Sequence, residues 1–333
     1  MVRVTKNERS WVISLISDIN LFLSNKTWNI KRAGGETTIN TGVKRMFPDI
    51  ILYGDESQMR ILQGWEIKMP DVPITDIELI QDAERKANTL GLNSFFIWNF
   101  SYGALYLRDN DDNFKIKKMW DDTAYIKTRE DVETYENEWL SLIKNILFDI
   151  NTFFERGIFH SSGLGEIISD TAMLTIINRN KSLVASELKE KSIANARMRS
   201  YLDLWWDEIK SEYMADENDK YHAYAKTILL NWVNKFIFAH MIKKHHSPAY
   251  IIENLDYSST PLNAIRIFKQ ITDKCDFFNV FRHIEFSHLI PKETWNDLVE
   301  FNMFLSSNNI AYIEHNALQT ILENTVKSSK RAD

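Results

Sequence analysis

The chain has 333 residues, 44% of them hydrophobic and 12% aromatic, enough apolar material for a sizeable core and too much length for one typical domain. That composition excludes disorder as the default state, and a net charge of -6 argues against a small dedicated DNA-binding domain, which is usually basic. The single cysteine, Cys275, excludes an intramolecular disulfide and suits a reducing compartment. No apolar run nears the roughly 20 residues that cross a bilayer, so a cytoplasmic protein with no membrane partner is expected.

In chain order, residues 5–25 read as a helix, with Thr5 and Glu8 at capping-box spacing and Trp11, Leu15, Ile19 and Phe22 on one stripe. Gly34-Gly35 and the polar residues up to Gly42 break that pattern and predict a loop or irregular strand. Asp49 to Tyr53 and Arg60 to Met69 are rich in Ile, Leu, Tyr and Trp around the polar turn Gly54-Asp55-Glu56-Ser57, a hairpin signal. Thr75-Asp76-Ile77-Glu78 opens a second helix, with Ile77, Ile80, Ala83, Ala87 and Leu90 as its apolar stripe and Gly91 at its C-terminal cap. Ser94 to Phe100 and Ala104 to Arg108 then read as two strands about Ser101-Tyr102-Gly103. From about residue 130 helical periodicity dominates, over 131–155, 164–178, 183–214, 219–245, 261–274 and 293–325. The organisation expected is an α/β domain with a mixed sheet over residues 1–128 and an all-α domain over 129–333.

The hairpin brings chemistry together. With its turn centred near Ser57-Gln58, antiparallel pairing sets Asp49 opposite Glu66, and residues opposite one another share a face. Lys68, two positions on, shares it too, while Ile67 points the other way into a core. Two carboxylates and an ammonium converge beside a strand pair filled with Ile50, Leu52, Ile61, Leu62 and Trp65, a costly arrangement unless each charge has a partner or a task. Magnesium takes oxygen ligands, one or two of them carboxylates. Asp49 and Glu66 can supply those, the Ile67 backbone carbonyl a third, and Lys68 can orient a water or stabilise charge on a phosphate.

The segments Phe47-Pro48-Asp49-Ile50-Ile51-Leu52-Tyr53, Gly64-Trp65-Glu66-Ile67-Lys68-Met69-Pro70 and Ser94-Phe95-Phe96-Ile97-Trp98-Asn99-Phe100 resemble the PD-(D/E)XK nuclease superfamily. In particular they resemble the N-terminal nuclease domains of Type IIG restriction-modification enzymes, in which a helical connector follows that residues 130–333 would fit. The resemblance covers roughly residues 1–125. It implies a helix-flanked mixed sheet of restriction-endonuclease type, dependence on Mg2+ (with Mn2+ able to substitute), and hydrolysis of DNA to 5′-phosphate and 3′-hydroxyl ends. It assigns Asp49 and Glu66 as metal ligands, Lys68 as the catalytic lysine and Gln81 as a supporting polar residue, although a surface helix glutamine reads the same way. Glu8 is the candidate for a first-helix glutamate that completes the metal site, alongside its capping role.

Lys26, Lys31, Arg32, Lys44 and Arg45 stand against Glu36 alone between residues 26 and 45, and Lys31, Arg32, Lys44 and Arg45 are the candidates for contact with double-stranded DNA. The Type IIG likeness implies a methyltransferase domain, using AdoMet, beyond the helical region, with this chain as the N-terminal part of a larger restriction-modification or phage-defence protein. Self-association or a methyltransferase or specificity partner is expected for double-strand cleavage. The rival reading is a DNA-binding or interaction module that keeps the fold without cutting. His240, His245 and His246 read as helix-end histidines, and Trp205, Trp206, Trp232, Phe236 and Phe238 as bundle core in preference to base-stacking platforms.

Overall fold

The computed structural model describes residues 8–35, 45–213, 217, 219–275, 277–308 and 310. The chain divides into two compact units, Met1–Leu164 and Gly165–Asp333.

The first unit is a mixed α/β structure built on an open, mostly antiparallel sheet. Its elements run α1 (Glu8–Leu23), β1 (Arg32–Gly34), β2 (Ile50–Tyr53), β3 (Arg60–Ile67), α2 (Ile77–Thr89), β4 (Ser94–Trp98), β5 (Gly103–Arg108), β6 (Phe114–Trp120), α3 (Arg129–Thr134), α4 (Glu136–Glu155) and β7 (Ser162–Gly163). The strand order is β1-β2-β3-β4-β5-β6, with β7 paired to the start of β3. Only β3 and β4 run parallel, and α2 makes the crossover between them.

The sheet covers a core on one face with α1 and α4. Ile50, Leu52, Leu62, Trp65, Ile67, Phe96 and Trp98 belong to the same buried cluster as Trp11, Leu15 and Ile19 of α1 and Trp139 and Ile143 of α4. The Trp139 ring lies 5.8 Å from Trp11, 5.6 Å from Trp98 and 5.3 Å from Phe100. Those contacts tie residues 129–164 to the sheet, so the first unit reaches past the division expected at residue 128. The other face is covered by α2, which buries Leu79, Ala83, Lys86 and Ala87. This corrects the stripe expected there: Ile77 is exposed, and Leu79 takes the buried position. The N-cap is Asp76, whose carboxylate accepts from Leu79 N at 3.0 Å, and Thr75 stands before it. Gly91 ends α2 at φ 63°, with Leu92 N donating to Ala87 O and Gly91 N to Asn88 O, the paired bonds of a Schellman cap.

Sequence reading missed β6 and β7, and β1 ends at Gly34, where a loop or irregular strand is expected to begin. Strand β6 exposes most of its residues, Lys115 and Lys117 among them, and lies at the sheet edge, where lysines discourage further pairing. Because it buries no continuous face, its alternation is weak. Thr5, of the capping box expected on α1, lies outside the described residues.

The second unit is helical: Met173–Ala194, Ala196–Tyr213, Lys220–Ile242, Pro261–Cys275 and Lys292–Ser307, with shorter turns at Ile167–Ala172, Ser247–Asn254 and Phe278–Phe281. The break expected between 178 and 183 falls at Asn195, whose side chain accepts from Met198 N at 3.0 Å and so caps the following helix. The helix Lys292–Ser307 ends at its C-cap Asn308, and residues 311–325 of the segment expected over 293–325 lie outside the described residues. Trp232 and Phe236 are fully buried, as expected of bundle core. His240 is also buried: Lys243 Nζ donates to its Nδ1 at 3.2 Å, leaving Nε2–H to donate to Asn302 Oδ1 at 2.9 Å. Burial and the Lys243 charge hold its pKa near 3, so it is neutral.

Two expectations follow. A Cβ at Gly64 would lie 2.4 Å from Pro48 Cγ, so Gly64→Ala must push β2 and β3 apart; the expected loss is about 1–3 kcal/mol, read as a lower thermal midpoint. In the second unit, burial pulls the Lys235 ammonium down to a pKa of about 8, with its Nζ 5.7 Å from the Trp232 and Phe268 rings. The unfolded chain holds this proton more tightly, so the charged lysine opposes folding below pH 8 and that penalty fades as pH rises toward 10.5. Lys235→Met is therefore expected to raise stability at pH 7 by up to about 3 kcal/mol, with the gain shrinking at pH 10. Equal gain at both pH values would refute this.

Candidate active site

The β2–β3 register sets the site. Ile50 pairs with Trp65 and Ile51 with Gly64, so one step further places Asp49 across from Glu66, as the hairpin spacing predicts. Gln58 turns the chain at φ 64°, and Met59 N donates to Asp55 Oδ1 at 2.8 Å. A bulge at Leu52/Tyr53 shifts the register near the turn and lets Leu62 and Trp65 both reach the α1–α4 core. Ile50, Leu52, Leu62 and Trp65 therefore face away from the acidic pair, along with Ile67. The pair itself faces α2.

Asp49 and Glu66 are both buried. Asp49 Oδ2 accepts from Ile67 N at 2.9 Å and lies 3.5 Å from Lys68 Nζ, and its Oδ1 pairs with Arg45 at 3.3 Å. Glu66 Oε2 accepts from Lys86 Nζ at 2.8 Å, and Lys86 also pairs with Asp82 at 2.9 Å. The second Glu66 oxygen, Oε1, is buried without a hydrogen-bond partner. Lys68 Nζ donates to Ile67 O at 2.9 Å and to Glu8 Oε1 at 3.3 Å.

The structure thus brings Asp49, Glu66, Lys68, the Ile67 carbonyl and Glu8 into one neighbourhood. Of the residues assigned to DNA, Arg45 pairs with Asp49 and is not free to meet a phosphate in this state. Arg32 is exposed on β1, Lys31 is half-buried, and Lys44 lies outside the described residues. Gln81 is exposed on α2, and its side chain makes no hydrogen bond among the described residues. In its place α2 supplies Lys86 and Asp82, which sequence reading passed over. The missed signal was a lysine at position 86 inside the 79, 83, 87, 90 stripe: a charge on a buried face requires a partner.

Burial drives Asp49 upward in pKa, but Lys68, Lys86, the Ile67 N–H and Arg45 outweigh it and hold the group below its ordinary value. For Glu66 burial wins over Lys86, helped by the nearby Asp49 charge, and the carboxyl sits near 7. Burial opposes charge on both lysines, yet the surrounding carboxylates raise both above the ordinary value.

Among the described residues no three His, Cys, Asp or Glu side chains form a ready metal cluster. The donor set still suits a hard divalent cation, because two carboxylates and a carbonyl are close and one buried carboxylate oxygen has no partner. No protein-family model matches this chain, and neither curated proteins nor solved structures show a significant similarity to it.

Removing Lys86 strands Glu66 as a buried charge. Lys86→Met is expected to cost about 3 kcal/mol or more at pH 8. The loss should shrink toward pH 6, because a carboxyl whose folded pKa is raised favours the folded state only while it can hold its proton. Adding Glu66→Gln should recover much of the loss. Thermal melts of the three proteins at both pH values check this, and a loss independent of pH would count against the Glu66 origin.

Proposed function

We propose that this protein is a Mg2+-dependent endodeoxyribonuclease whose first unit is a PD-(D/E)XK domain of restriction-endonuclease type. The observation that carries the reading is the burial of Asp49 opposite Glu66, with Lys68 beside them and one Glu66 oxygen left without a partner. Burying such charges costs several kcal/mol apiece unless they have a task or a partner. The helix-flanked mixed sheet is compatible with this fold.

Asp49, Glu66 and the Ile67 carbonyl would hold the ion, with Glu8 as a fourth candidate. When bound, magnesium supplies Lewis-acid polarisation of the phosphodiester and a more acidic water. The chain's own part is positional. The Ile67 N–H fixes one Asp49 oxygen, and Lys86 fixes Glu66. Lys68 can donate to a non-bridging phosphate oxygen as charge gathers there, or orient the attacking water. Attack on phosphorus with departure of O3′ leaves 5′-phosphate and 3′-hydroxyl ends.

In the same reading the partner is double-stranded DNA and the setting a restriction-modification or phage-defence system in the cytoplasm, with a methyltransferase or second copy supporting double-strand cleavage. No helix among the described residues is long and apolar enough to cross a membrane. A second reading, a non-cleaving DNA-binding module, is favoured by one observation: Asp49 and Glu66 already pair with lysines inside the protein, as in a structural ion network.

Cleavage of mixed plasmid and genomic DNA with Mg2+ separates the two. Wild type is expected to cut, while Asp49→Ala and Lys68→Ala lose about a hundredfold or more. Cleavage that survives either change refutes the catalytic assignment. DNA binding without cleavage, indifferent to Asp49→Ala, supports the module.

A further inference from the structure

Among the described residues the Lys68 ammonium donates to Ile67 O at 2.9 Å, Glu8 Oε1 at 3.3 Å and Asp49 Oδ2 at 3.5 Å. These acceptors come from α1, the residue before β2 and the end of β3, and with Glu66 they are the oxygens that the metal reading assigns. An ammonium has three donors, and all three have an acceptor here. Magnesium requires oxygens at roughly 2.0–2.1 Å in a near-octahedral shell, so an ion drawing on these three oxygens would lie within a few ångströms of the ammonium, where two positive charges repel.

We propose that Lys68 is an internal cation that occupies the metal's place in the resting protein, so that a divalent ion enters only as the Lys68 ammonium leaves the Glu8–Asp49–Ile67 oxygen cage. The inference rests on the metal-nuclease reading above and concerns how that site is regulated. Two observations single out Lys68 rather than Lys86 as the group that moves. The Lys68 side chain retains 24% exposure and so has a route to solvent. The Lys86 side chain is 4% exposed and clamped between Glu66 and Asp82, so it stays. Glu66 Oε1, buried and unpartnered, provides a further oxygen to a metal that Lys68 does not use. Entry of the metal also frees the three Lys68 donors for a phosphate, so one displacement both fills the site and arms the lysine.

The test uses the full chain stripped of metal, with Mn2+ as the probe. Free Mn2+ is counted by electron paramagnetic resonance, and acetylation of each lysine is followed by mass spectrometry, with exposed Lys115 as the reference. Saturating Mn2+ is expected to speed acetylation of Lys68 relative to Lys115 in the wild type and leave Lys86 protected, with no such change in Asp49→Asn. Lys68→Met, checked for folding by its melting curve, is expected to bind Mn2+ at least about tenfold more tightly, since a site competent in only a minor population binds more weakly by that fraction. Unchanged Lys68 labelling overturns the proposal. Tighter binding without a labelling change overturns it as well, since the loss of a nearby charge would account for that alone. The labelling in wild type does not depend on any variant folding. If Mn2+ binds and DNA is cut while labelling stays flat, only this inference fails. If neither wild type nor Lys68→Met takes up Mn2+ and no DNA is cut, the nuclease reading fails and carries the inference with it.

Discussion

Pro48 lies against the backbone of Gly64, where a Cβ would come within 2.4 Å of its Cγ, and this close approach holds β2 and β3 in the register on which the site depends. Strand side chains alternate, so a slip of one residue would send Glu66 to the tryptophan-rich core and Trp65 to the charged face. Both faces are buried, one under α1 and α4 and the other under α2. Neither alternative register is tolerable, and the apolar face fixes the charged one. The acidic pair is thus placed by the packing of residues that take no part in any chemistry.

The charges on that face then have to be reconciled with burial. Three cations, Arg45, Lys68 and Lys86, meet the carboxylates of Glu8, Asp49, Glu66 and Asp82. The matching is uneven. Asp49 is surrounded by donors and stays ionised, while Glu66 has one lysine and one unpartnered oxygen and sits near neutrality. Most buried polar atoms of a structural network have a partner, and Glu66 Oε1 shares its lack of one with a few atoms of the second unit, Asp297 Oδ1 among them. What distinguishes the Glu66 oxygen is its place beside Asp49 and Lys68, where the proposed cation would supply the missing partner.

The second unit follows ordinary helical logic with polar exceptions. Lys235 is buried among aromatic rings, and His240 is held neutral between Asn302 and Lys243. These groups have satisfied or tolerated roles within the bundle, and the histidines of this unit do not join in a metal cluster among the described residues.

By itself the sequence determined the alternation of the hairpin, the helical character of residues beyond 130, the Gly91 cap and the convergence of Asp49, Glu66 and Lys68. Each rests on local spacing, and local spacing is fixed by the geometry of strand and helix. Only the tertiary structure decided that α3 and α4 pack on the sheet, that exposed β6 extends it, and that Lys86 of α2, itself paired with Asp82, meets Glu66 where Gln81 does not. A helix shows which residues share a face, but not which of its faces will be pressed against another element. For α2 that choice belongs to the β3–β4 crossover, which turns Leu79, Ala83 and Lys86 inward and leaves Gln81 in water.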